Sequence, residues 1–156
     1  MSFIKILNQQ EKHEIETALS EQFGIKEIPG LIVKSSEERL FLFSGSFSEK
    51  EISNLASCVP IERLGIYFAK IMPGEDAIKL SIEGTNILKN QKIKNIFILD
   101  ATQVEDWMKG QDLHIKTGKR GFLIIKYKDD FLGCGKASEE KIGNFIPKSR
   151  RLKEKG

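Results

Sequence analysis

The stretch GFLIIKYKDDFLGCGKASEEKIGNFIP, Gly121 to Pro147, most constrains this chain, because it breaks into short apolar runs separated by Lys-Asp-Asp and Ser-Glu-Glu turns. Runs this short, rich in β-branched and aromatic residues and bounded by turn chemistry, specify strands and leave no room for a helix. LHIKT, just before them, reads as one more strand. Short strands at such close spacing fold as a small β-barrel or curled sheet.

Upstream, the helix and strand signals alternate. NQQEKHEIETALSEQFG places Ile15, Ala18, Leu19 and Phe23 at helical spacing and stops at Gly24. LIVKSS and RLFLFSG follow as a hairpin joined through Ser-Glu-Glu, SEKEISNLASC reads as a helix capped by Ser48 and Glu51, and IERLGIYFAKIM reads as a strand. Pro73-Gly74 punctuates the chain and marks a predicted boundary between residues 1–74 and 75–156. Beyond it, AIKLSIEGTNILKN predicts a strand running into a short helix, and IKNIFILDA a buried strand. A helix opening at Thr102 then carries Trp107 and Met108 and ends at Gly110. The fold class expected is α+β: a small N-terminal α/β domain, then a β-pseudobarrel with short helices.

Charge is unevenly spread. The net charge is only +3, but from Lys109 onward there are 13 Lys and Arg against 6 Asp and Glu, and before it 12 against 16. A basic field gathered in one part of a fold suits a polyanion. With 40% apolar and 30% charged residues the composition is that of a globular protein. No apolar run reaches the roughly 18–20 residues of a membrane span, and MSFIKILNQQEKHE carries no leader pattern, so a cytoplasmic location without membrane association is expected.

Gly133-Cys134-Gly135-Lys136 suggests a phosphate loop, but its spacing does not fit one. A P-loop needs four residues between its glycines and a hydroxyl after the lysine, whereas Ala137 follows Lys136. The dinucleotide pattern fails too, because Ser138 stands where the third glycine belongs. Glycines alternating within a strand instead bare one face of the backbone. If Leu132 and Cys134 face the core, Gly133 and Gly135 form the floor of a bare groove with Lys136 at its end. A ligand cleft and a tight barrel corner explain these glycines equally well. The basic residues favour the ligand: Lys148, Arg150 and Arg151 follow Pro147, and Lys116, Lys119 and Arg120 gather in the turn before GFLIIKY. A mixture of Arg forks and mobile Lys point charges suits a sugar-phosphate backbone.

Catalytic signatures are scarce. Cys58 and Cys134 form no Cys-x-x-Cys pair, His13 and His114 are isolated, and no Ser-His-Asp or Cys-His spacing occurs, so neither a metal nor a cofactor is expected. Cys134 reads as a packed apolar residue and Trp107 as core.

The order LSIEGTNIL, NIFILDATQVEDWMKGQDL, GFLIIKYKDDFLGCGKASEEKIGNFIPKSRRL resembles a PUA domain, the RNA-binding module attached to RNA-modifying enzymes. Its end, LGCGK…IGNFIPKSRR, looks especially like the PUA-like module of Sun-type (Fmu) RNA cytosine-5 methyltransferases. A small α/β domain set before it resembles the pre-PUA plus PUA layout of Nip-type ribosome-biogenesis proteins. The resemblance implies a pseudobarrel with RNA along its glycine-bearing strand, Gly133, Gly135 and Lys136 at the groove, and Gly110 at the turn after the helix. The methyltransferase domain, its glycine motif and its Pro-Cys signature are missing from these residues. The expectation is therefore a non-catalytic RNA-binding protein acting on structured rRNA or tRNA. It would serve rRNA maturation and ribosome biogenesis, or an RNA-modifying enzyme acting in trans, with an enzyme or assembly factor as partner of the N-terminal domain. The rivals are a protein-interaction adaptor using the edge of the LIVKSSEERLFLFSG hairpin and a small RNA-modifying or nucleotide-dependent enzyme using Lys136.

Overall fold

The computed structural model describes residues 4–35, 37–43, 65–72 and 77–152. The expected helix in SEKEISNLASC and the Pro73-Gly74 punctuation lie outside the described residues. The chain begins with strand β1 (Ile4–Ile6) and helix α1 (Gln9–Phe23). Asn8 caps α1, its side chain accepting from the Glu11 N–H while the Glu11 carboxylate accepts from the Asn8 N–H, and Gly24 ends it in the left-handed conformation. The next strands are β2 (Leu31–Ser35), β3 (Arg39–Phe43), β4 (Ile66–Met72) and β5 (Ala77–Leu80). With β1 they form a five-stranded antiparallel sheet in simple sequential order. The hairpin and the strand-to-helix reading of AIKLSIEGTNIL hold. β1 was not expected, since three residues are too few to show an alternation.

Helix α2 (Ile82–Ile87) follows β5 at once, then strand β6 (Ile96–Ile98) and helix α3 (Ala101–Met108). Strands β7 (Gly121–Tyr127), β8 (Asp130–Ala137) and β9 (Ile142–Asn144) lead to a single 3-10 turn, Lys148–Arg150. The second sheet has the order β6-β7-β8-β9, with β6 parallel to β7 and the other pairs antiparallel. The α+β class holds, and the second unit is barrel-like.

Three details differ from the sequence reading. LHIKT forms no strand: only Leu113 pairs, in an isolated bridge with Ile142, and the Ile115 N–H turns back to the Leu113 carbonyl at 3.0 Å instead of joining a ladder. IKNIFILDA yields a three-residue edge strand rather than a buried one, and Ile98 is 66% exposed. Helix α3 opens one residue before Thr102, capped by Asp100, which accepts from the Gln103 N–H while Gln103 accepts from the Asp100 N–H.

β7 explains the packing. Phe122 and Ile124 point into one apolar cluster, and Leu123 and Ile125 into another. A strand buried on both faces must be apolar throughout, which is why FLII shows no alternation. The first cluster gathers Leu19 and Phe23 of α1, Leu40 and Phe68 of the first sheet, and Phe131 and Cys134 of β8. The second surrounds the fully buried Trp107 with Leu123, Ile125, Ala137 and Ile142. β5, just past the expected boundary, hydrogen-bonds to β4, and the first cluster takes residues from both sides of that boundary.

Candidate nucleic-acid interface

Helix α2 joins the two sheets. Gly84 is buried so close to β4 that a Cβ would collide with the Phe68 backbone. On its other side Asn86 Nδ2 donates to the Phe131 carbonyl of β8 at 2.9 Å, and the Gly133 N–H donates to Thr85 Oγ1 at 3.1 Å. Ser81, at the N-cap, accepts from the Gly84 N–H and donates from its hydroxyl to the Tyr67 carbonyl at 2.8 Å. These bonds fix α2 between β4 and β8 and leave a cleft of about 260 Å³ above its first turn. Arg39, Tyr67 and Lys79 of the first sheet line one wall, and Gly133, Phe145 and Pro147 line the other.

The cleft is basic and aromatic. The Arg39 guanidinium lies 5.8 Å from the Tyr67 ring centroid, and Lys79 Nζ lies 4.6 Å from that of Phe145. Phe145 in turn packs on Phe122, over which Lys136 Nζ sits at 5.7 Å. Rings that hold cation heads over their faces keep the charge at the wall of a groove rather than free in solvent. Burial pushes the Tyr67 phenol above its ordinary pKa. It holds the Lys79 ammonium below its own, helped by the charges of Lys70 and Arg39. The acid on the rim, Glu83, pairs with Arg150.

The geometry corrects the bare groove. β8 carries a bulge: Ile124 faces Cys134 while Lys126 faces Phe131, so Leu132 and Gly133 together oppose one residue. Gly133 has φ +81°, a value that glycine adopts without strain. The bulge breaks the alternation, so Leu132 and Cys134 do not share a face: Cys134 belongs to the first cluster and Leu132 packs on the second. Gly135 is covered by protein, since a Cβ there would lie 2.6 Å from Ile142 Cγ2 and 2.7 Å from Trp107 Cη2. Gly133 is buried as well, its missing side chain giving room to the start of α2, where a Cβ would lie 3.3 Å from the Ile82 nitrogen, while its backbone forms part of the cleft lining.

The remaining basic residues separate into three groups. Arg150 reaches the cleft rim through Glu83, with Lys148 exposed at the start of the same 3-10 turn. Arg151 turns inward, Nε donating to the Ile146 carbonyl at 3.0 Å, and its guanidinium covers Gly110, where no Cβ would fit. Lys116, Lys119 and Arg120 are exposed at the far end of β7, where Lys116 and Arg120 pair loosely with Glu140 and Glu139 at 3.7 and 4.0 Å. Sequence reasoning missed Arg39, Tyr67, Lys79, Ser81 and Gly84. Arg39 and Lys79 stand on separate strands, and only the sheet register brings them together. The Ser-Ile-Glu-Gly helix start was the one local signal available.

Cys134 forms part of the cleft floor, where burial pushes its thiol up to about 12 and the Leu80 N–H donates to Sγ at 3.3 Å. Such a thiol is packed and inert. Among the described residues no helix is long and apolar enough to cross a membrane.

Residues 94–152 match the family model described as the Methyltransferase RsmF PUA domain. The matched range runs from the residue before Asn95 and β6 to the end of the 3-10 turn, so it contains the whole second sheet, α3 and one wall of the cleft. No curated protein matches the chain.

Proposed function

We propose that this protein binds structured RNA in the cleft between its two sheets, as a non-catalytic factor in rRNA maturation or beside an RNA-modifying enzyme acting in trans. A PUA-like module points to RNA binding. One observation carries the placement: the PUA-like segment, through Gly133, Phe145 and Pro147, lines a cleft whose opposite wall presents Arg39 and Lys79. The Phe145 ring offers a base a stacking face, and the cations opposite neutralise the phosphates. A role in ribosome assembly, with the N-terminal unit contributing to recognition, rests on the sequence resemblance of that unit to the pre-PUA layout of Nip-type proteins. The test is a titration of the full chain with tRNA and structured rRNA fragments at two salt concentrations. Binding that weakens steeply with salt is expected, and absence of binding at low salt overturns the reading.

A further inference from the structure

The first sheet carries a row of cations that the cleft does not exhaust. Arg39 is the register partner of Lys70 across β3 and β4, and Lys70 is the register partner of Lys79 across β4 and β5. Partners in an antiparallel pair project to the same face, so three positive side chains stand side by side across three neighbouring strands. A bulge produces this alignment: Leu40 pairs with Ala69 but Phe41 pairs with Tyr67. Phe68 and Ala69 are therefore both buried, while Tyr67 and Lys70 both remain on the outer side. Among the described residues Arg39 has one ion pair, a 3.6 Å contact with the exposed Glu37. Among the described residues Lys70 and Lys79 have no carboxylate partner. Like charges directly opposite one another destabilise a sheet, so a row of three works against the fold unless an anion meets it.

We infer that the Arg39–Lys70–Lys79 row is a phosphate-backbone track by which the N-terminal sheet forms the RNA-facing wall of the site, with Lys70 its central cation. With strands about 4.8 Å apart the row spans roughly 10 Å, the scale of a short run of nucleotide phosphates. Arg39 and Lys79, the two ends of the row, line the cleft wall, and Lys70 stands between them on β4, so a backbone crossing that wall meets all three. The track rests on the RNA reading above and extends it to the half of the chain outside the matched range.

The test measures binding of labelled structured RNA by the full chain between 50 and 200 mM salt, in four proteins. These are the wild type, Arg39→Gln/Lys70→Gln/Lys79→Gln, the single Lys70→Gln, and Lys116→Gln/Lys119→Gln/Arg120→Gln as a distant control of equal charge change. Each single-stranded phosphate contact contributes about 0.7 to the slope of log K against log salt, so the row variant should flatten it by about 2 and Lys70→Gln by about a third of that. The row variant should also melt no earlier than wild type, because removing it relieves repulsion. If wild type binds and Lys70→Gln alone titrates identically while the row variant weakens, the track is wrong and the cleft reading stands; if the row variant also titrates identically, both are wrong. If the distant control loses as much slope as the row variant, the effect is net charge and the track is again wrong. Wild type that binds no RNA at 50 mM salt overturns both. Row-dependent binding to anionic phospholipid vesicles without RNA binding also overturns the track.

Discussion

Gly135→Ala separates a glycine that lines a ligand groove from one that admits packing. In this structure the new methyl carbon would lie 2.6 Å from Ile142 Cγ2, 2.7 Å from Trp107 Cη2 and 3.1 Å from the Gly143 carbonyl oxygen. Ile142 and Trp107 are both fully buried in the second cluster and cannot move aside without disturbing it. Overpacking of this kind costs about 1–3 kcal/mol, against which alanine recovers roughly 0.5–1 kcal/mol of backbone entropy. A net loss of about 1–2 kcal/mol remains. For a domain of this size it lowers Tm by about 2–8 °C, readable by circular dichroism or calorimetry. RNA affinity measured well below the transition should be unchanged, since the methyl points at Trp107 and not at the cleft. Unchanged Tm with weakened RNA binding would refute the packing and restore the bare groove.

Two further predictions concern titrating groups. The Asp112 carboxyl is held below its ordinary value by the Lys141 ammonium foremost and by the Asn144 N–H, both at 2.8 Å. Because its folded pKa is depressed, it stabilises the fold above the unfolded value of about 3.9 and loses that effect as pH falls through the folded one. Asp112→Asn should therefore lower Tm modestly at pH 7 and progressively less as pH falls below about 4; parallel Tm-versus-pH curves for the two proteins would contradict this. In a Cys58→Ser background, Cys134 should resist iodoacetamide at pH 8 until urea unfolds the chain, since its thiol is pushed up to about 12. Native labelling within minutes would mean that the cleft floor opens.

Much of the fold was legible because its signals are local. The Asn8 and Gly24 caps bound α1, and the FLII run announces a strand buried on both sides. The site was far less legible. Gly133 and Gly135 look alike in sequence, yet one occupies a bulge at the cleft and the other lies under Trp107, and only the register shift in β8 tells them apart. Arg150 and Arg151 are adjacent, yet one reaches the rim and the other locks the segment after β9 onto Gly110. The cation row depends on pairing between strands that are distant in sequence, and no window along the chain contains it.

The most direct measurement is a titration of the isotopically labelled full chain with a structured RNA fragment, followed through its backbone amide resonances. RNA bound in the cleft predicts the largest shifts at Lys79, Ser81, Gly133 and Phe145, with the Lys116–Arg120 turn unaffected. Shifts confined to that turn, or none at all, would contradict the account.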